Sequence, residues 1–459
     1  MKQITRKTVA LYCLPLFSIG LFTTMIGDYL IYFYQPTAQS GLPALITQGK
    51  VFAGVLTVIG LINAVAHVID AVSDPLVASL SDRSRNRDGR RLPFIRRFAV
   101  PFALSALMVF CAPFASDVLN DLWLAVWLWA FYIFYTLYDV PHCALIPEIV
   151  RDNGLLVDSY TFHSLFFVSG NMLGYAAPAL VSLLKKAGVS SLAAWRMTFL
   201  GYALLGGAVL FVPLLVVKEK DYAKPVQPTV SLGESLRHAF ANRHFRVVTL
   251  GQLLEGTGMS FFQACTMYYI TQLMGLPEEN SIWIMAAAIL GSLVLYPAIN
   301  HWSKGAGKKK PMLIGCGVFA GAQLLVCLSG VVPAEHAMSA AVLFALLLSL
   351  PFAVLNILPP TMMADVIRYD TVKTGVNQEG TFAAARSFVT KLGTSLATMI
   401  VPSLIVVGAA TGQVVGRRGL LLTAVVGGAF TLAAVVVYLL YDEKEIRSVI
   451  AGGEEGTAR

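Results

Sequence analysis

The sequence predicts an all-α membrane protein of twelve transmembrane helices, arranged as two halves of six. Three observations predict it. Hydrophobic residues make up 56% of the 459 and charged residues only 13%, against roughly a quarter charged in soluble domains. Twelve runs are each apolar over about the 20 residues needed to cross a bilayer. Lysine and arginine collect in connectors of one parity, 26 against 6 on the other side. That bias places both termini and the basic connectors in the cytoplasm, and a missed or extra helix would scramble it.

The first run, 10 to 34, follows Lys2, Arg6 and Lys7. It continues through Tyr34 without a small-residue cleavage site, so it reads as a retained helix rather than a leader. The second, 51 to 80, leads into seven arginines between Arg83 and Arg97. Helices follow at 98 to 116, 120 to 147, 160 to 184 and 193 to 217, completing an N-terminal half of residues 1–217. A polar loop, 218–244, separates the halves, and its SLGESLRHAF core has the pattern of a short amphipathic surface helix. Runs at 245 to 274, 281 to 302, 311 to 331, 338 to 365, 380 to 408 and 419 to 441 make the second half, 245–441, before a tail of 442–459 rich in Gly and Glu. The tail reads as mobile.

The formal charge of +8 does not point to nucleic acid, because the basic residues sit in short connectors rather than on one domain. The six cysteines lie in or beside apolar runs with no pairing or ligand spacing, and read as small core hydrophobes. There is no HExxH, GxSxG or Walker-type GK[ST] segment, which argues against an enzyme and an ATP-driven pump. No resident cofactor or metal is expected beyond a transported cation.

Residues 62 to 97 carry the chemistry. His67, Asp70 and Asp74 recur at spacings of three and four, which stack on one helix face. A carboxylate at the bilayer centre costs about 2.5–3.5 kcal/mol, so two on one stripe imply cations or water that meet them. Hard cations want several oxygen ligands, which two carboxylates and Ser73 offer. Empty, the pair repels or takes up a proton, so cation binding shifts a conformational equilibrium. The structural alternative pairs Asp70 with Lys391 and Asp74 with the loop arginines, without a transported ion. His67 suits proton coupling, or is a neutral buried histidine.

Other intramembrane polar groups are candidates for solute contact or for packing. Asp139 precedes Pro141, which can free backbone groups for a ligand. Glu255 is an acid in GQLLEGTG, lining a pathway or pairing with Arg386. Arg386 and Lys391 lie about 140° apart around one helix; Lys391 balances the acids of the second helix, and Arg386 meets either an anionic group of the solute or a structural partner. Tyr29, Tyr32, Phe33 and Tyr34, with Phe131, Tyr132 and Phe134, fit an interfacial belt, and Tyr135 and Tyr138 are pocket candidates. Asp82, Arg83, Arg90 and Arg91 form a cytoplasmic gate of charge pairs, or a basic loop that only fixes topology.

A faint repeat links the halves. DPLVASLSDRSRNRDGRRLPF and YPAINHWSKGAGKKKPML each show Pro, a polar residue seven later (Asp82 and Lys304), then Gly, a basic cluster and Pro. With six helices either side, this fits a two-half transporter whose halves rock about a central site.

DAVSDP (70 to 75) with DGRRLPF, YTLYDVPHCALIPEI (135 to 149), ILPPTMMADVIRYDTVKTGVNQEG (357 to 380) and SFVTKLG (387 to 393) occur in this order along the chain. Together they resemble the glycoside-pentoside-hexuronide:cation symporters (melibiose permease-like) of the major facilitator superfamily. The resemblance implies the major facilitator fold and a cation site at Asp70 and Asp74, with Thr136 supplying a hydroxyl, Asp139 binding sugar and Lys391 near the cation. Ser73 replaces the family's asparagine, which leaves Na+ against H+ open. The family's helix 1 aspartate has no counterpart near Gly20, its tryptophan after the helix 4 aspartate is Cys143, and its helix 5 arginine is missing around Thr161 to His163.

The resulting expectation is a secondary active transporter coupling Na+ or H+ to uptake of a sugar, glycoside or uronide. It would be a multi-pass monomer in a bacterial inner membrane, with a small-molecule substrate, a monovalent cation and the lipid bilayer as partners. A lysolipid symporter of the same fold is the alternative, and a membrane enzyme or receptor a more distant one.

Overall fold

A computed structural model describes residues 4–457 apart from 53, 83, 85, 87, 88, 151, 223–236, 238 and 376–378. The chain divides into two compact units, residues 1–229 with 409–416, and residues 230–408 with 417–459.

The first unit opens with α1 (Arg6–Cys13) and α2 (Pro15–Tyr34), one membrane span broken where Pro15 lacks the N–H that would continue the helix. A small hairpin of β1 (Lys50–Phe52) and β2 (Leu56–Thr57) replaces the expected start of the second helix. Its β-branched residues favour strand and Gly54, at φ +68°, makes the turn. There follow α3 (Val58–Asp82), α4 (Leu92–Met108), α5 (Asp117–Ile149), α6 (Asn153–Tyr175), α7 (Ala177–Lys186), α8 (Ser191–Val209), α9 (Val212–Val216) and α10 (Glu219–Tyr222). The second unit contains α11 (Arg243–Tyr268), a π-helical turn at Tyr269–Leu273, α12 (Ser281–Ala306), α13 (Lys309–Leu325), α14 (Ala337–Thr374), α15 (Glu379–Ile405), α16 (Arg417–Leu439) and α17 (Glu443–Thr457). The proposed surface helix in SLGESLRHAF falls largely outside the described residues.

Ten helices are long and apolar enough to span a membrane among the described residues. The third and seventh expected spans are present as α4, which has only 17 helical residues, and α11, which carries Arg243, Arg246, Gln252 and Glu255. Arg196 finishes α4 by donating from Nε to Phe110 O at 3.3 Å and from Nη2 to Ala112 O at 3.2 Å, as a cation does at a helix C-terminus.

Helix pairing repeats between the units. In the first, α2 packs on α6, α3 on α5 and α4 on α8; in the second, α11 packs on α15, α12 on α14 and α13 on α16. The aromatics of α2 are core rather than belt. Tyr29 and Tyr32 are buried against Trp195, and Tyr34 donates to Val109 O.

The tail is ordered helix, not the mobile segment anticipated. Glu443 accepts from the N–H groups of Lys308 (2.8 Å) and Lys309 (3.0 Å), and Ile446 is buried in the core of the second unit. Two capped N–H groups and a buried side chain offset the ordering entropy.

Candidate cation and solute site

The amphipathic logic of α3 places the acids. Val68, Val72, Leu76 and Leu80 are exposed at every fourth position, the stripe that faces lipid in a membrane helix. Asp70 is on the other side at 4% exposure, with His67 buried and Asp74 half-buried. Both carboxylates therefore turn into the unit. Pro75 removes the N–H that would bond to Ala71 O, which adds a backbone oxygen without its helical partner beside the pair.

Against this face lies α5, joined in register by polar contacts. Trp129 Nε1 donates to Ile62 O at 3.0 Å, Tyr132 Oη lies 3.2 Å from His67 Nε2, and Thr136 meets the acids. Thr136 Oγ1 is 3.3 Å from Asp70 Oδ1 and 3.3 Å from Asp74 Oδ1, and accepts from Ser73 Oγ at 3.0 Å. Two carboxylates and two hydroxyls thus converge on one point, the hard-oxygen environment that suits a small cation or a shared proton. Lys391 is half-buried on α15 of the second unit.

One helical turn beyond Thr136, Asp139 is half-buried and accepts from Cys143 Sγ at 3.2 Å. Tyr135 is half-buried, packed on Phe102 and Phe131. Tyr138 is not a pocket residue here. Its ring is buried between Phe102 and His142, and its hydroxyl donates to Leu210 O at 2.7 Å. Position 138 lies two residues from Thr136, about 200° around the helix, so it faces the opposite packing.

In the second unit Glu255 is buried inside helix packing rather than exposed along a pathway. It accepts from Tyr438 Oη at 3.0 Å and Cys316 Sγ at 3.7 Å. Arg386, half-buried, donates from Nε to Gln252 Oε1 at 2.6 Å, and Gln252 Nε2 donates to Pro359 O at 2.9 Å.

The loop expected to gate is a charge cluster. Arg90 Nη2 and Arg91 Nη2 reach the same Glu148 Oε1, at 3.0 and 2.8 Å. The backbone N–H groups of Arg90, Arg91 and Leu92 donate to the Glu219 carboxylate at 2.7, 2.9 and 2.9 Å. Asp82 closes α3, but its side chain and the whole of Arg83 lie outside the described residues. The second unit repeats the device: Glu443 caps α13, and Lys308 Nζ reaches Asp365 Oδ2 at 2.6 Å. Nearby, Tyr369 Oη donates to Glu445 Oε1 at 2.7 Å and His244 Nε2 lies 3.3 Å from Oε2, which hold the Glu445 carboxyl below the usual glutamate range.

Residues 11–443 match the model of the family described as MFS/sugar transport protein. The chain belongs to this family. It is a multi-pass membrane transporter of the major facilitator fold and not an enzyme. The isoprimeverose transporter of Lactiplantibacillus pentosus is 23% identical over 89% of this chain and 79% of its own. The inner membrane symporter YicJ of Escherichia coli (strain K12) is 23% identical over 90% of this chain and 85% of its own. In structure, the nucleoside transporter NupG superposes with a TM-score of 0.65 at 13% identity, over 95% of this chain and 98% of that one. Symporter relatives imply a small-molecule substrate and a cation as the partners of this family member.

Three residues of this transporter went unread in the sequence. Glu148 lies inside the motif-bearing segment at 135 to 149 but was masked by its apolar neighbours, and Glu219 sits in the charged KEKDY run after the sixth span. Glu219 and Glu443 each follow the last span of a half, a correspondence that the faint repeat does not include. His163 is brought to 3.8 Å from Cys143 Sγ by the packing of α6, a contact with no local signature.

Proposed function

We propose that this transporter couples inward movement of Na+ or H+ to uptake of a sugar, glycoside or uronide by alternating access of its two halves. Asp70, Asp74, Ser73 and Thr136 hold the cation. The observation that carries the reading is the Thr136 hydroxyl within hydrogen-bonding reach of both carboxylates, on a helix face turned away from lipid. Two negative groups so close favour taking up a positive ion over remaining jointly charged.

In this reading Asp139 and Tyr135 contact the solute, Lys391 balances the emptied acid pair, and His67 tunes it through Tyr132. Arg90 and Arg91, with Asp82 and Arg83 beside them, hold the cytoplasmic gate. The packing of Tyr138, Glu255 and Arg386 gives them supporting roles in helix packing. Residues 1–217 and 245–441 act as the two halves around the loop 218–244, with 442–459 as a cytoplasmic tail. Both termini lie in the cytoplasm of a bacterial inner membrane, the protein works as a monomer, and neither cofactor nor nucleic acid takes part.

Reconstitution into liposomes tests the proposal. Radiolabelled glycosides, uronides and lysolipids are offered under an imposed Na+ or H+ gradient. Concentrative uptake of a sugar-class solute, lost in Asp70→Asn and Asp74→Asn, is expected. Concentrative uptake only of lysolipid would redirect the substrate class, and sugar accumulation that persists in both variants would overturn the cation assignment.

A further inference from the structure

The face of α5 one turn past the proposed cation site collects metal-ligating side chains, of which only Asp139 has a part in the proposed solute contact. One donor atom each from Asp139, His142 and Cys143 lies within 4.8 Å of the others. Cys143 Sγ is 3.2 Å from Asp139 Oδ1 and 3.8 Å from His163 Nε2 on α6. In a tetrahedral zinc centre, with bonds of about 2.3 Å to sulfur and about 2.0–2.1 Å to nitrogen or oxygen, neighbouring donors stand about 3.5 Å apart. The Cys143–Asp139 edge is close to that value.

His142 supplies the second observation. Its Nε2 lies 2.9 Å from Tyr12 O, and a carbonyl only accepts, so Nε2 carries the proton. Nδ1 is then a bare lone pair, on a side chain of 0% exposure and without a hydrogen-bond partner among the described residues. Stacking on Tyr12 at a centroid distance of 4.6 Å fixes the ring plane. Metal-bound imidazoles are oriented in this way, one nitrogen donating to a backbone carbonyl and the other facing the ion.

We propose that Asp139, His142 and Cys143 form a three-residue binding site for a thiophilic divalent transition-metal ion of the zinc class, with water completing the shell and His163 lying beside Cys143. The donor set of one thiolate, one imidazole and one carboxylate selects such an ion over Na+, Mg2+ or Ca2+, which prefer oxygen alone. Binding breaks the Cys143 S–H bond, forms the sulfur–metal bond and releases the proton to solvent. The inference does not depend on which solute is carried, because it is read by direct binding.

Cobalt(II) chloride, titrated into the full-length protein in detergent, tests it. The expected result is one equivalent of Co2+ giving a sulfur-to-cobalt charge-transfer band and intense tetrahedral visible bands, both removed by one equivalent of Zn2+. Cys143→Ser should abolish the charge-transfer band, and Asp139→Asn should weaken binding at least tenfold. X-ray absorption of the wild-type protein loaded with Zn2+ gives an answer independent of how the variants fold: a shell containing one sulfur supports the site. An oxygen- and nitrogen-only shell, absence of stoichiometric binding, or an unchanged spectrum in folded Cys143→Ser would each overturn it.

Discussion

Gly89 and Glu219 fit together only because the glycine has no side chain: a Cβ on residue 89 would lie 2.2 Å from Glu219 Oε2. The second unit repeats the relationship, with Gly307 and Glu443 Oε2 at 2.6 Å. Both glycines have positive φ, +122° and +85°, and both precede a helix whose first N–H groups the carboxylate receives. Glu219→Ala should therefore destabilise the first unit by about 1–2 kcal/mol, the usual range for a lost N-cap. Glu219→Gln, which keeps an acceptor but loses the charge that favours a helix N-terminus, should do less. Gly89→Ala should exceed both, since it adds strain to a displaced carboxylate. Thermal unfolding in detergent orders the three.

Thr136→Val keeps the shape of the side chain and removes the hydroxyl that meets Asp70 and Asp74. A hydrogen bond to a charged group contributes about 1.5–3 kcal/mol, so the cation concentration giving half-maximal uptake should rise about tenfold to a hundredfold. Thr136→Ser should stay near wild type. An unchanged cation dependence in the valine variant would remove Thr136 from the site.

Close approach of α2 to α6 sets a third expectation. A Cβ on Gly20 would lie 2.2 Å from Phe167 O, and one on Gly170 2.0 Å from Phe17 O. Small residues allow such backbone contact between membrane helices, and overpacking costs about 1–3 kcal/mol. Gly20→Ala and Gly170→Ala should each lower Tm, whereas Gly27→Ala, with nothing within 4 Å, should not. The same contact leaves no room for an aspartate side chain at position 20 itself.

Docking of α17 should respond to acid. The Glu445 carboxyl is held below its ordinary value of 4.5, first by the Tyr369 hydroxyl. A depressed carboxyl contributes stability that is full above the ordinary value and fades as pH falls through the depressed one. Because the Glu445 side chain is 39% exposed, the effect should be small and screened by salt. Hydrogen-exchange protection of 443–451, relative to the intrinsic rate at each pH, should therefore fall below about pH 4.5 in the wild type, with a weaker pH response in Glu445→Gln.

Much of the site was legible because its signals are local. Asp70, Ser73 and Asp74 declare one face of one helix, and an acid stripe in an apolar run is costly enough to demand a purpose. The surroundings of Tyr138 and Glu255 were not legible for the opposite reason. Whether a polar group in a membrane helix lines a path or bonds to a neighbour depends on what packs beside it, here Leu210 O and Tyr438. The hairpin at 50–57 and the helical tail were likewise hidden, since each depends on weak local preference or on a distant cap.

By itself the sequence determined the membrane class, the order of the spans, the family and the acid pair, all of which follow from hydropathy, charge bias and short motifs along the chain. The tertiary structure alone decided which oxygens surround that pair, which carboxylates cap α4 and α13, and that His163 lies against Cys143. Those contacts join residues as many as 135 positions apart, and no sequence period records a distance that only helix packing creates.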